Sequence, residues 1–110
     1  MQRHGDDRGV VTLEGELDLY TVSELKAGLI ELERAGIATV AVDLRGTRLV
    51  DGVALGALGQ AQRRLAALGG ALLLVCDRPD LAKAIAIAGL DEVLRPYPDV
   101  ETAFAAAPSA

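Results

Sequence analysis

The side chains that could carry chemistry are few in this 110-residue chain, and they are scattered. His4 is the only histidine and lies in a polar stretch, and Cys76 is the only cysteine and lies in an apolar run. A nucleophilic site needs a base beside its nucleophile, and a zinc site needs several thiolate or imidazole ligands. The sequence contains neither the Gly-x-x-x-x-Gly-Lys-Ser/Thr pattern of a P-loop nor the Gly-x-Gly-x-x-Gly fingerprint of a dinucleotide-binding fold. We therefore expect no metal, no cofactor and no enzymatic activity.

Two carboxylates are notable for their position. Asp18 follows the first predicted strand, and Asp51 follows a later one and opens a helix. Loops after parallel strands meet at one edge of a sheet, where ligands and partners bind, so both carboxylates are expected to share one surface. A purely structural alternative stays open, in which Asp51 only caps its helix and Asp18 only forms a turn.

The elements that would position these carboxylates alternate between strand and helix. Strands are predicted at residues 10–13, 39–44, 71–76 and 92–95, and helices at 21–35, 51–68, 79–88 and 99–107. Gly15 is expected to end the first strand, residues 45–47 to form a loop, and Thr21 with Glu24 to form a capping box. This alternation predicts an α/β fold with a largely parallel sheet.

Composition and charge exclude several function classes. The net charge is −5 without a basic cluster, which disfavours a nucleic-acid partner. The apolar runs are too short to cross a membrane, and residues 1–8 do not resemble a signal peptide. We therefore expect a cytoplasmic protein with no membrane insertion.

Four short motifs, in this order, resemble those of the STAS domain of anti-sigma factor antagonists. They are Gly-Glu-Leu-Asp at 15–18, a strand, loop and Asp at 42–51, a Gly-Gly turn and strand at 69–75, and Gly-Leu-Asp at 89–91. The resemblance implies a single α/β domain with a mixed, mostly parallel sheet of four to five strands. About four helices would pack mainly on one side.

The resemblance also sets the expected domain limits. The STAS domain is predicted at residues 10–107, and residues 108–110 are predicted to be a frayed tail. Residues 1–9 are expected to be disordered or to form a short edge strand. If that strand is missing, the edge of the strand at 10–13 is open to strand addition or to formation of a homodimer.

The resemblance also implies a partner and a switch. The bacterial single-domain members of the STAS family bind an anti-sigma factor, which is a serine kinase of the histidine-kinase-like ATPase fold. The switch is phosphorylation within Asp-Ser-Ser/Thr-Gly-Leu at the start of the second helix. Here residues 51–55 read Asp-Gly-Val-Ala-Leu, so Val53 occupies the phosphoacceptor position without a hydroxyl. The nearest hydroxyls, those of Thr47 and Ser23, do not match the motif.

The predicted function is a non-catalytic protein-binding regulator that is not switched by phosphorylation at the usual site. The predicted partner surface consists of Asp18, Asp51, Gly52, Val53, Leu55 and Leu58. Two alternatives stay open. One is a scaffold or accessory subunit of a transport or stress-signalling assembly, and the other is a small-molecule-binding domain, for which the sequence shows no pocket signature.

Overall fold

One mixed sheet organises the part of the chain that the computed structural model describes, which is residues 2–3 and 7–108. Its strands are β1 (Gln2–Arg3), β2 (Arg8–Leu17), β3 (Thr39–Val50), β4 (Ala71–Val75) and β5 (Pro96–Tyr97). The helices are α1 (Val22–Arg34), α2 (Gly52–Ala67), α3 (Pro79–Ile87) and α4 (Val100–Ala105). Residues 1, 4–6 and 109–110, on which parts of the predicted N-terminal segment and frayed tail fall, lie outside the described residues.

The strands lie in the sheet in the order of the chain, β1-β2-β3-β4-β5. β1 is antiparallel to β2, and every later neighbour pair is parallel. Right-handed crossovers that advance in one direction place their helices on one face of a sheet. Accordingly α1, α2 and α3 share one face, while α4 covers the other. The predicted mixed, mostly parallel sheet is confirmed.

The core is divided between the two faces of the sheet. Val42 and Leu74 point toward α1, α2 and α3, whereas Ala41 and Leu73 point toward α4. Successive side chains of a strand alternate between faces, so a strand covered on both faces must be apolar throughout. This explains why β4 is an unbroken aliphatic run and why all its residues are buried.

β2 and β3 extend beyond the ends predicted for them. Gly15 does not end β2 but lies within it at a φ of 75°, between register shifts that mark irregular pairing with β3. Glycine tolerates such a backbone conformation, so the strand bends and continues. Residues 45–47 are likewise not a loop, because β3 stays paired with the longer β2 as far as Val50.

Two further local predictions are wrong. Thr21 makes no side-chain capping bond to α1, because its hydroxyl instead donates to the carbonyl oxygen of Glu16 at 2.7 Å. The strand predicted at 92–95 is replaced by a turn, in which the Val93 N–H donates to the Leu90 carbonyl at 3.0 Å. The short strand follows immediately, as β5.

The N-terminal edge strand is present and short. In β1, Gln2 pairs with Val10 and Arg3 pairs with Gly9. Among the described residues, β1 therefore covers the outer edge of β2 only near its beginning.

Candidate functional site

The carboxyl ends of β2 and β3 bring the two predicted carboxylates to one edge of the sheet. Leu17 and Val50 are the last register partners of these strands, and Asp18 and Asp51 come directly after them. The backbone N–H of Asp51 donates to the carbonyl oxygen of Leu17 at 3.0 Å. This bond ties the start of α2 to the loop that follows β2, so the two loops form one surface.

Asp18 organises the loop between β2 and α1. Its Oδ1 accepts hydrogen bonds from the backbone N–H groups of Tyr20 at 2.9 Å and Thr21 at 3.0 Å. The backbone bond from Thr21 is the main cause that lowers the pKa of Asp18 below its ordinary value. The carboxylate thus has a structural role, and among the described residues its Oδ2 accepts no hydrogen bond.

Asp51 is the N-cap of α2, as predicted. Its backbone is extended, and its side-chain Oδ1 accepts the backbone N–H of Ala54 at 2.9 Å. This bond satisfies one of the backbone donors that have no partner within the first turn of a helix. Gly52 and Val53 form that exposed first turn, and the Val53 side chain is 52% exposed.

Two predicted contact residues lie in the core instead. Leu55 and Leu58 are buried among the aliphatic side chains between α2 and the sheet. Leu55, Leu58 and Leu65 recur at intervals of three and seven residues, which places all three on the helix face that packs inward. This is a correction to the predicted partner surface, because a partner that binds the surface of this structure cannot contact Leu55 or Leu58.

The same edge carries apolar side chains that the sequence prediction missed. Leu19 and Tyr20, directly after Asp18, are 60% and 85% exposed, and Leu49 near the end of β3 is 49% exposed. Each of these residues, and Val53 as well, lies within two residues of Asp18 or Asp51 in the sequence. We call Leu19, Tyr20, Leu49 and Val53 the edge patch. The sequence does carry a signal for them: Leu19 and Tyr20 follow the turn residue Asp18 and precede α1, so neither belongs to the buried face of that helix.

The third loop at this edge, after β4, is held by Arg78. Its Nη2 donates to the Thr47 hydroxyl at 3.1 Å, and that hydroxyl donates to the Leu44 carbonyl oxygen at 2.6 Å. Thr47 is also buried, so its hydroxyl is both out of contact with solvent and hydrogen-bonded on each side. Its role is to connect β3 to the loop before α3.

Neither a metal centre nor a membrane span is indicated. Within the described ranges 2–3 and 7–108, no three or more His, Cys, Asp or Glu side chains are grouped so that they could hold a metal ion. In the same part of the chain, no helix combines the length and apolar character needed to cross a bilayer. The single Cys76 is free and buried.

Known structures share this architecture. An anti-sigma factor antagonist from Mycobacterium paratuberculosis is 23% identical, with a TM-score of 0.80 over 96% of this chain and 88% of that chain. Unphosphorylated SpoIIAA, an anti-sigma factor antagonist, is 20% identical, with a TM-score of 0.73 over 92% of this chain and 90% of that one. The phosphorylated form of SpoIIAA from Bacillus, a cell fate determinant, is 21% identical, with a TM-score of 0.67 over 92% of this chain and 93% of that one.

These identities establish a common fold. No curated protein is detectably similar in sequence. The model of the STAS domain family, however, matches residues 1–103, which is nearly the whole chain. The motifs, the mixed sheet and this match lead to the same conclusion: the chain belongs to the STAS domain family.

Proposed function

We propose that this protein is a non-catalytic regulator that binds an anti-sigma factor, as an anti-sigma factor antagonist does, and that it acts in the cytoplasm. The observation that carries the proposal is the exposed Val53 in the first turn of α2, beside the cap residue Asp51. The side chain occupies the phosphoacceptor position of the family motif, and we propose that the partner binds there. It is accessible without any rearrangement of the fold.

The edge patch supports an interface at this position. Leu19, Tyr20, Leu49 and Val53 are four of the large apolar side chains that remain exposed, and each lies within two residues of Asp18 or Asp51 in the sequence. Grouped apolar side chains on a protein surface mark interaction sites. Tyrosine is also among the residues that contribute most strongly to binding at such interfaces.

Phosphorylation at the usual site is not part of the proposed mechanism. Gly52 and Val53, which follow the cap residue Asp51, carry no hydroxyl. The nearby Thr47 hydroxyl is buried and bonded to the Leu44 carbonyl, so a kinase could reach it only after local unfolding. Ser23 is exposed but belongs to α1. In this proposal the antagonist is constitutively able to bind.

The substitution Val53→Asp tests the proposal. It places a negative charge where a phosphate would act in the family. Burying an unpaired carboxylate in an apolar contact costs about 3 kcal/mol or more, which corresponds to at least about a hundredfold loss of affinity. The fold should tolerate the change, because an acidic residue suits the first turn of a helix. We expect the variant to melt within a few degrees of the wild type.

The measurement is capture of partners from the native lysate by immobilised wild type, Val53→Asp and Ala66→Asp, followed by mass spectrometry. Ala66 is exposed on the same helix away from the edge patch and serves as the matched control. We expect wild type and Ala66→Asp, but not Val53→Asp, to retain a histidine-kinase-like ATPase. Retention of that ATPase by a folded Val53→Asp would refute the proposed interface. Capture of a transporter ATPase instead would refute the anti-sigma assignment and support an accessory-subunit role.

A further inference from the structure

A groove runs between α1 and α2, on the helical surface of the domain and separate from the edge patch. It has a volume of about 440 Å³, which falls in the range of small-molecule sites. Its floor contains Leu29 of α1 and Ala61 of α2, both buried. Ile30 contributes an exposed apolar wall, and its side chain is 45% exposed.

Small side chains on α2 keep this groove open. Ala57 and Ala61, one helical turn apart, face the leucine side chains of α1 across it. A larger residue at either position would occupy the space. The groove therefore exists because these two positions of α2 are alanines. Its apolar floor would accommodate the hydrocarbon part of a ligand.

Charged groups mark the two ends of the groove. At one end Arg64 Nε donates to Glu33 Oε1 at 2.8 Å and joins the two helices. Since α1 and α2 both connect parallel strands, they run in the same direction, and seven residues earlier on each helix lie Lys26 and Ala57. That is about two turns, or roughly 10 Å, along the groove.

Lys26 supplies the charge that is not already neutralised. Among the described residues it has no ion-pair partner, whereas Arg64 is paired with Glu33. The lining thus has a net charge of about +1, from two cations and one anion, on a chain whose net charge is −5. A local positive charge above an apolar floor selects a ligand with an anionic head and an apolar tail.

We propose that this groove binds a small anionic amphiphile, a medium-chain carboxylate, with its head at Lys26 and its tail along Leu29, Ile30 and Ala61. The ion pair between Arg64 and Glu33 closes the far end. This site does not depend on the proposed anti-sigma partner, since none of its residues belongs to the edge patch.

Titration calorimetry with decanoate, below its micelle concentration, tests the proposal. We expect saturable binding of one decanoate per chain. Lys26→Gln should weaken it about tenfold or more, because it removes a charge-assisted hydrogen bond. Lys83→Gln removes the same charge from the exposed surface of α3 and should bind decanoate like the wild type. Ala57→Phe should abolish binding by filling the groove, and Ala66→Phe, on the exposed side of α2, should not.

Head-group selectivity is the second arm of the experiment. Decylammonium and decanol offer the same tail without the anion, and we expect both to bind at least about tenfold more weakly than decanoate. Equal binding of decylammonium, equal loss in Lys83→Gln, or no saturable binding of decanoate would each overturn the proposal. Lys26 is exposed, so its substitution remains informative even if Ala57→Phe destabilises the fold.

Discussion

At the scale of single residues, Asp43 is the acid most firmly built into the structure. It lies in β3 with its side chain only 12% exposed and forms a two-pronged pair with Arg45, Nε to Oδ1 at 3.0 Å and Nη2 to Oδ2 at 2.8 Å. The Arg45 backbone N–H also donates to Oδ1 at 3.0 Å. The side-chain hydrogen bonds from Arg45 are the main reason that the pKa of Asp43 is held below its ordinary value of 3.8.

This lowered pKa predicts a specific acid sensitivity. A carboxyl group whose pKa is lower in the folded than in the unfolded state stabilises the fold above its ordinary pKa, and that stabilisation is lost as the pH falls through the folded value. Asp43→Asn should therefore cost about 1–3 kcal/mol near pH 7 and much less near pH 2. Urea unfolding at both pH values measures the difference.

The control for this prediction is Asp91→Asn, at an exposed position in the turn before β5. It should change stability little at either pH. Equal destabilisation by Asp43→Asn near pH 7 and near pH 2 would contradict this prediction. It would show that the charge of Asp43 adds nothing to the free energy of unfolding, and that Asp43 and Arg45 stabilise the fold only through packing contacts.

At the scale of elements, the start of α2 combines stability with the proposed interface. The cap bond from Ala54 to Asp51 fixes the first turn, and Gly52 and Val53 are displayed by it. A side chain on Gly52 would meet open space, so this glycine is not required by packing. The cap at Asp51 and the buried Ala54 and Leu55 together hold the exposed Gly52 and Val53 in place.

Removal of this cap tests that arrangement. Asp51→Ala should lower the free energy of unfolding by about 1 kcal/mol, whereas Asp51→Asn should preserve most of it, because an amide oxygen also caps well. Chemical denaturation of the three proteins gives the comparison. A cost in Asp51→Asn as large as that in Asp51→Ala would show that the negative charge at the helix start, rather than the cap bond, is what stabilises α2.

The elements also show which features a sequence can predict. The cap at Asp51 and the helix behind it were predictable, because both depend on residues within one or two turns. The continuation of β3 was not, because Gly46 looks like a loop residue until β2 lies beside it. An added side-chain carbon at Gly46 would lie 3.1 Å from Glu14 Cγ, so this glycine permits strand contact.

The residues of the candidate site also fall into those that the sequence could predict and those that it could not. Asp18 and Asp51 could be placed at one edge, because parallel strands end together. Leu55 and Leu58 could not be separated from Val53 by motif alone, because burial depends on which side of α2 meets the sheet. The exposure of Tyr20 likewise depends on the path of the loop that Asp18 organises.

At the scale of the whole molecule, the domain has two cores of unequal size. The larger lies under α1, α2 and α3, and the smaller lies under α4, where Phe104 packs with Ala41 and Leu73. Arg8 of β2 also lies over the Phe104 ring, with its Cζ 5.1 Å from the ring centroid. Phe104, in a six-residue helix, is the largest buried side chain of the smaller core, and Tyr97 packs against that core from β5, so we expect the core to depend strongly on Phe104.

Phe104→Ala should reveal that dependence. Truncation of a buried phenylalanine costs about 3–5 kcal/mol. Phe104→Leu, which retains an apolar side chain, should cost distinctly less. Both can be followed by urea unfolding, and we expect partner capture by the folded variants to be unchanged, because α4 lies on the opposite face from α2. A cost below about 1 kcal/mol for Phe104→Ala would mean that the second face is stable without the ring.

The strand order has a consequence for how the chain is made. Since β2, β3, β4 and β5 enter the sheet in chain order, each strand leaves the ribosome when its neighbour is already available, with one helix between them. The helices of the larger core emerge along with the strands that they cover. The second face has no such cover until α4 is translated, and until then Ala41, Leu73 and Val75 are open to water. The nascent chain is therefore most exposed to chaperones and to aggregation between the synthesis of β4 and that of α4.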